Sequence, residues 1–290
     1  MALSDDYLSP TTDVYSWKLE GGNRVEAPAM IKLGKTYFMF ASMMTGWDAN
    51  DNQYTTSTSL SSGWAAWKKF ADSGSKVGRE KPSFNRDVVT NTPQTYNSQT
   101  TYILKTSDSS AIYLGDRWLK DDLKSSSYIW LPLTISGTSV SMKNFVSWVP
   151  TSNLAAWQNP PAETTYEGES ASYGGKARNV DCSTCSGKKA AGYLGGPDKG
   201  SVTFSGIRSD IDGMTTIRIK YLNGDSGLRY ANVRVNGDGG RKIAFLPAKG
   251  DPLSSTLNVN LKKGSSNTIV IEGYGSGWGP DVDRLMVPVQ

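Results

Sequence analysis

Residues 216–246 read TIRIKYLNGDSGLRYANVRVNGDGGRKIAFL and decide the fold class of the carboxyl-terminal half. Apolar residues alternate with polar ones at 216–221, 231–235 and 242–246, and the segments between these runs are rich in glycine, asparagine and aspartate. A period of two is typical of strands that bury one face. The segment Asn236–Gly240 holds residues that tolerate a positive φ. The stretch therefore predicts consecutive short strands joined by turns.

The same pattern extends outward in both directions. Runs at 202–204, 257–261, 268–272 and 285–289 bring the number of predicted strands to seven, which is typical of a β-sandwich such as a jelly-roll. In the amino-terminal half, two apolar runs flank Gly34-Lys35 and predict a hairpin, and strands are predicted at 111–114, 128–131 and 139–148. Only 116–124 has helical spacing. We predict an all-β protein with domains at 1–150 and 165–290 and a linker at 151–164.

Composition excludes several classes of function. The 290 residues include no histidine and only two cysteines, which excludes Ser-His-Asp catalysis, histidine-ligated metals and four-cysteine sites. The net charge of +4 argues against a nucleic-acid partner, and no run of 18 apolar residues predicts a membrane span. A monomer is expected. What remains is carboxylate chemistry, a hard-cation site with oxygen ligands, or binding alone.

Cys182 and Cys185 are three positions apart. Such a pair is either a redox or metal pair in the cytosol or a small turn disulfide outside the cell. No βαβ pattern surrounds the two residues, and glycine, serine and threonine are frequent there, so we favour the disulfide. The amino terminus has neither a basic nor an apolar segment of the signal-peptide type.

Two acidic pairs flank the carboxyl-terminal half. Glu167 and Glu169 open it, and Asp281 and Asp283 lie near its end. Alternate spacing places both carboxylates of a pair on one face of an extended strand. If the first and last strands lie side by side, the carboxylates converge, and calcium is the cation that suits them. The alternative is a set of solvated surface acids.

Six motifs in the carboxyl-terminal half occur in a fixed order. They are Tyr166-Glu-Gly-Glu169, Cys182-Ser-Thr-Cys-Ser-Gly-Lys188, Gly192-Tyr-Leu-Gly195, Tyr221-Leu-Asn-Gly-Asp-Ser226, Val235-Asn-Gly237 and Pro280-Asp-Val-Asp-Arg-Leu285. Together they resemble a family 35 carbohydrate-binding module over about residues 163–290. The resemblance implies a β-sandwich, a structural calcium ion held by Glu167, Glu169 and Asp283, and a sugar site in the loops at one end.

The resemblance also implies which residues contact the sugar. Trp278 would cover a galactose face, Asp281 would accept hydrogen bonds from hydroxyls, and Asn223 would reach in from its loop, with Gly195 also at the site. From the residues alone, a loop tryptophan is either a lid on the core or a stacking platform.

The amino-terminal half resembles the late blades of a five-bladed glycoside hydrolase family 43 propeller, in particular the exo-β-1,3-galactanase group. The motifs that carry this resemblance are Val25-Glu-Ala-Pro28, the segment from Ala41 to Trp47, Asn97-Ser-Gln99, the segment from Ala111 to Trp118, and Ser127-Tyr-Ile-Trp130. It implies that Glu26 is the general acid, that Gln99 replaces a missing base and positions water, and that Trp47 contacts carbohydrate. Five complete blades need roughly 300 residues, so a partial propeller is expected.

Two functional hypotheses follow. The first is a secreted galactan exo-hydrolase whose partner is β-galactan or an arabinogalactan-type polysaccharide. The second is a non-catalytic carbohydrate-binding protein that acts through its carboxyl-terminal module. Hydrolysis with inversion needs an acid and a group that holds water on the opposite face of the sugar. Because one acid and one glutamine serve that need poorly, we expect the 290-residue chain alone not to turn over substrate.

Overall fold

The computed structural model describes residues 2–15, 25–71, 95–145, 147–152, 154 and 156–289. Nearly all regular structure in these residues is β-strand, which confirms the predicted fold class. The chain forms two compact units that meet in sequence at Asn159 and Pro160. No helix in the described ranges is long and apolar enough to cross a membrane.

The first unit contains two four-stranded sheets in which each strand pairs with the next one along the chain. Each sheet is an antiparallel meander of the kind that forms a propeller blade. The strands are β1 (Val25–Leu33), β2 (Thr36–Met43), β3 (Gln53–Ser57) and β4 (Lys68–Lys69) in one sheet, and β5 (Gln99–Lys105), β6 (Ala111–Arg117), β7 (Ser127–Ser136) and β8 (Ser139–Met142) in the other.

Alternating side chains of these two sheets form one apolar core. Phe38 and Phe40 on β2, Tyr113 on β6 and Leu131 on β7 are buried in it. The hairpin predicted at Gly34-Lys35 is confirmed, since these residues form the turn between β1 and β2.

Three segments of the first unit differ from the sequence-based expectation. Strand β6 continues to Arg117, so the region of helical spacing contains only a 3-10 turn at Leu123–Ser125. Strand β8 ends at Met142 instead of continuing to residue 148. Around the expected linker, β9 (Val149–Pro150) and β10 (Trp157–Gln158) pair with each other. Residues 153 and 155 of that linker lie outside the described residues.

The second unit is a β-sandwich. One sheet has the order β13-β14-β21-β16-β19, with β11 also paired to β21, and the other has the order β12-β15-β20-β17-β18. The strands are β11 (Glu163–Glu167), β12 (Ser172–Gly174), β13 (Arg178–Asp181), β14 (Lys189–Gly192), β15 (Ser201–Ser209), β16 (Gly213–Asn223), β17 (Arg229–Val235), β18 (Arg241–Phe245), β19 (Ala248–Leu261), β20 (Gly264–Gly273) and β21 (Asp281–Pro288).

The inward positions of both sheets form the core of the sandwich. Ile217, Ile219 and Tyr221 alternate along β16, and they meet residues such as Val233 and Ile271 from the other sheet. Strand β11 pairs with β21 in antiparallel register, so that Glu167 lies opposite Arg284. The first and last strands of this unit therefore lie side by side, as the reasoning from the acidic pairs required.

Candidate functional site

Glu26 and Gln99 are 73 positions apart in sequence, and the structure brings their side chains into contact. Glu26 lies near the start of β1, opposite Ser42 on β2, and Gln99 is the first residue of β5. The Nε2 group of Gln99 donates to Glu26 Oε1 at 2.9 Å and to Ser42 Oγ at 2.9 Å. The expected acid and the expected glutamine thus share one hydrogen-bond network.

The backbone beside both residues is unusual. The pairing of β1 with β2 shifts register after Glu26, and Ala27 has a φ of 51°. Just before Gln99, Tyr96 and Asn97 have φ values of 49° and 58°. Non-glycine residues in this left-handed region cost energy and are concentrated at functional sites, and a bulge redirects the side chain next to it. Strained backbone therefore lies beside both residues of the Glu26–Gln99 contact.

Gln99 also lines a narrow cleft. Its lining residues are Gly46, Trp47, Asp48, Ala49, Asn50, Asn97, Ser98, Gln99, Asp116 and Trp118. The inner space is about 20 Å³, which is enough for one water molecule but not for a sugar ring. A sugar would therefore contact this site from the mouth of the cleft.

Two tryptophans form part of that mouth. The rings of Trp47 and Trp118 meet edge to face with centroids 5.6 Å apart, and both are about half exposed. The indole N–H of Trp118 donates to Gln99 Oε1 at 3.0 Å. The family resemblance implies a carbohydrate contact for Trp47 and implies no role for Trp118 or Asp116. The sequence contained a signal for these two residues, because both belong to the motif from Ala111 to Trp118.

Asn52 holds the backbone on both sides of Gln99. This buried side chain donates to the carbonyl oxygen of Ser98 at 3.1 Å and accepts from the amide and the hydroxyl of Thr100, each at 2.7 Å. It donates as well to the carbonyl oxygen of Asn50 at 3.0 Å. The position of Gln99 is therefore fixed by an asparagine from the neighbouring sheet segment.

In the second unit, Trp278 lies in the loop between β20 and β21. The loop is held by backbone hydrogen bonds from Gly196 to Gly277 at 3.1 Å and from Gly279 to Leu194 at 2.8 Å. The indole ring covers Gly196 so closely that a Cβ at that position would lie 2.5 Å from it. Trp278 is still 43% exposed, so it is not a lid on the core.

Other groups surround this tryptophan. The Tyr193 ring meets Trp278 edge to face at 6.1 Å, and the Arg178 guanidinium lies 3.6 Å from the centre of the Tyr193 ring. Gly195 forms a β-bridge with Trp278, so its contribution is made by the backbone. Trp278 and Tyr193 therefore present an exposed aromatic surface, and Arg178 places a positive charge at one side of it.

Asp281 lies three residues beyond Trp278 and is partly buried. Burial raises the pKa of its carboxyl, while Arg229 opposes this shift and Asp225 adds to it. Arg229 is itself held by Asp225 and by the carbonyl oxygen of Gly279 at 3.1 Å. Asp281 also lines a cavity of about 210 Å³ with Leu222 and the disulfide segment, a cavity that does not include Trp278.

Asn223 is also expected at the sugar site from the family resemblance. It is fully buried, and its amide donates to the carbonyl oxygens of Gly227 and Phe245 at 2.9 and 3.0 Å. Its Oδ1 accepts from the backbone amide of Asp225 at 3.0 Å. The contact of Asn223 with sugar stays a prediction, and it would require a side chain whose polar atoms already stabilise the loop that follows β16.

The predicted cation site lies where β11 meets β21. Cys182 and Cys185 form a disulfide, and the turn after it carries Ser186, whose backbone amide donates to Asp283 Oδ1 and whose hydroxyl donates to Glu167 Oε1, both at 3.0 Å. Asp283 is 1% exposed, and burial raises the pKa of its carboxyl, with Arg284 lowering it and the two glutamates raising it.

Two carboxylate oxygens near Asp283 are buried without a hydrogen-bonding partner, Oε2 of Glu167 and Oε2 of Glu169. A buried unpaired carboxylate oxygen is costly, and a hard cation satisfies such oxygens. In the described part of the chain, no three acidic or cysteine side chains are already gathered as metal ligands. These carboxylate oxygens are therefore of the kind that calcium binds. In the described residues they are not yet gathered into a complete set of ligands.

Comparisons with known proteins agree with the all-β architecture of the chain. A family model described as CBM13-like, alpha-galactosidase, CBM13 domain matches residues 201–287. The exo-β-1,3-galactanase of Phanerochaete chrysosporium, solved with β-1,3-galactotriose, is 28% identical over 98% of this chain, with a TM-score of 0.57. Its structure with galactose is 30% identical over 98% of this chain, with a TM-score of 0.56. This chain is similar to exo-β-1,3-galactanases.

The similarity to exo-β-1,3-galactanases includes both units, and it confirms the resemblance read from the motifs. The chain spans 61% of the length of the Phanerochaete enzyme. A family 35 carbohydrate-binding module from Clostridium thermocellum is 21% identical over 43% of this chain and 98% of its own, with a TM-score of 0.41. Comparison with curated proteins gives no match.

Proposed function

We propose that this chain is a carbohydrate-active protein of the exo-β-1,3-galactanase type, which binds β-1,3-galactan or a related arabinogalactan. The observation that carries the proposal is the Glu26–Gln99 contact beside a cleft whose mouth holds two tryptophans. Flat apolar rings beside acidic and amide groups suit a sugar, which has C–H faces and hydroxyl edges. The similarity to a galactanase solved with β-1,3-galactotriose supports the choice of sugar.

The second unit would supply the binding function. Trp278 in the loop between β20 and β21 and Tyr193 directly after β14 offer exposed aromatic rings, and the partly buried carboxyl of Asp281 offers an acceptor for hydroxyl groups. Because the loop that carries Trp278 is held by backbone hydrogen bonds, little conformational entropy would be lost there on binding. We propose that a galactose ring stacks on Trp278.

Replacing Trp278 with alanine tests this function. Loss of one stacked ring is worth on the order of 1–2 kcal/mol, so we expect galactotriose affinity to fall about tenfold or more. Isothermal titration of the full chain with β-1,3-galactotriose measures the effect. Met214→Ala is the control, since it also removes an exposed apolar side chain from the second unit. Equal affinity and stoichiometry in wild type and Trp278→Ala would contradict the proposal.

A second candidate function is galactan binding without hydrolysis. In hydrolysis Glu26 would protonate the leaving oxygen, and a second group would hold water on the opposite face of the sugar. Inverting pairs of carboxyl groups lie roughly 6.5–9.5 Å apart to leave room for that water. Gln99 instead contacts Glu26 directly at 2.9 Å, which favours the second candidate. Galactose released from β-1,3-galactan, measured by chromatography, separates the two.

We also propose that calcium stabilises the second unit by binding between β11 and β21. Glu167, Glu169 and Asp283 would hold the ion, and the two orphaned oxygens would gain a partner. The ion would offset the accumulation of negative charge that burial makes costly at these three carboxyls. The disulfide supports an extracellular setting, where calcium is plentiful and disulfides persist.

Removal of calcium is expected to lower the melting temperature of the second unit. An ion present at a hundred times its dissociation constant adds about 2.7 kcal/mol of stability. Calorimetry with calcium and with excess chelator measures the difference, and Glu167→Gln should abolish it. Glu272→Gln, on the other sheet, should retain the calcium response. A melting temperature that chelator leaves unchanged would refute the calcium site.

A further inference from the structure

The side-chain amide of Gln99 has two orientations that differ by exchange of its oxygen and nitrogen, and its neighbours determine which one is stable. On one side lies the indole nitrogen of Trp118, which is 3.0 Å from the Gln99 amide. An indole N–H only donates a hydrogen bond, so the atom that faces it must be the acceptor Oε1. This leaves Nε2 on the side of Glu26.

The groups around Nε2 accept both of its hydrogens. Glu26 Oε1 and Ser42 Oγ each lie 2.9 Å from it. The Ser42 hydroxyl points its own hydrogen toward the carbonyl oxygen of Glu26 at 3.5 Å, which leaves a lone pair for Gln99. In the flipped orientation the amide would face Trp118 with a donor and Glu26 with an acceptor. The hydrogen bonds to Trp118 and Glu26 would both be lost because like groups would oppose each other there, while the Ser42 hydroxyl could turn to donate to the amide oxygen.

Trp118 is well placed to fix this orientation. It directly follows β6, and its neighbour Asp116 is paired with Gln99 across the sheet. Trp47 packs against the Trp118 ring at 5.6 Å. Trp118 therefore lies one residue beyond a paired strand, and the strand pairing and the Trp47 ring together place its N–H beside the amide.

We propose that Trp118 is a positioning residue, whose indole N–H holds Gln99 so that the amide donates to Glu26 and cannot accept from it. Glu26 Oε1 is then always an acceptor, and the proton of the acid is carried by Oε2. This last consequence rests on the proposed function, because it concerns the proton that an acid would deliver to a sugar. The orientation of the amide does not rest on it.

Nuclear magnetic resonance of the ¹⁵N-labelled full chain tests the orientation without sugar or turnover. The Gln99 side-chain signal is identified by its loss in Gln99→Leu. We expect its N–H₂ protons to exchange with solvent about tenfold more slowly than those of the exposed Gln158, because each is hydrogen-bonded. In Trp118→Phe the ring remains but the donor is gone, and the exchange rate of Gln99 should rise about tenfold.

Trp130→Phe is the matched control, since it makes the same change on β7 of the same sheet and should leave Gln99 exchange as in wild type. Wild-type protection retained in Trp118→Phe would overturn the proposal. If Trp118→Phe does not fold, the wild-type indole N–H of Trp118 decides instead, and rapid exchange of that proton would also overturn it. Either result is independent of whether galactotriose binds, so this inference and the proposed function fail separately.

Discussion

Replacing Asn223 with alanine is expected to lower the free energy of unfolding of the second unit by about 2–3 kcal/mol. The side chain is fully buried and makes three hydrogen bonds to backbone groups of the loop after β16 and of β18. Alanine would leave the carbonyl oxygens of Gly227 and Phe245 without their donor in the interior. Unsatisfied buried groups cost the full desolvation penalty, which is larger than the net value of a typical hydrogen bond.

Amide hydrogen exchange of β15 to β21 measures this loss directly, because slow exchange in core strands reports the opening of the whole unit. Asn260→Ala is the control, since Asn260 is an exposed asparagine on β19 of the same sandwich. The result would be contradicted by an Asn223→Ala variant that keeps wild-type protection and loses sugar affinity. That outcome would favour Asn223 as a direct sugar contact.

The seven predicted strands of the second unit were accessible from sequence because their signal is local. Thr216–Tyr221 alternates with a period of two, and it lies within β16. The turn at Asn236–Gly240 lies between β17 and β18, as its composition indicated. Period and turn chemistry depend only on near neighbours in sequence, so such elements can be predicted without knowledge of the core.

Other features depend on contacts that no local pattern contains. Strands β12, β13 and β14 are three or four residues long, too short to show a period, and pairing with neighbouring strands defines them. Asn223 precedes a glycine and an aspartate, a pattern typical of an exposed turn, and only the packing of β16 against β18 residues buries it.

The candidate site shows the same division. The motifs around Glu26 and Gln99 pointed to one site through family resemblance. Their direct hydrogen bond and the role of Trp118 required the register of three strands. Backbone strain at Ala27 was likewise invisible in the sequence, because alanine does not mark a left-handed conformation as glycine does.

Asn52→Ala should have the largest effect in the first unit, a loss of about 3 kcal/mol in the free energy of unfolding. Asn52 is buried, and its four hydrogen bonds join Asn50 to Ser98 and Thr100. Its Nδ2 donates two of these hydrogen bonds and its Oδ1 accepts the other two, so alanine removes all four at once. Urea unfolding followed by tryptophan fluorescence reports the first unit, because eight of the nine tryptophans precede residue 160.

The same substitution links stability to the site. Because Ser98 and Thr100 flank Gln99, release of their backbone would free the Gln99 amide from Glu26 even in molecules that remain folded. We therefore expect Gln99 side-chain exchange to accelerate in Asn52→Ala under conditions where fluorescence shows no unfolding. Asn144→Ala, an exposed asparagine after β8, should change neither quantity. If Asn52→Ala unfolds at the wild-type urea concentration, contacts other than those of Asn52 must hold the backbone of Gln99.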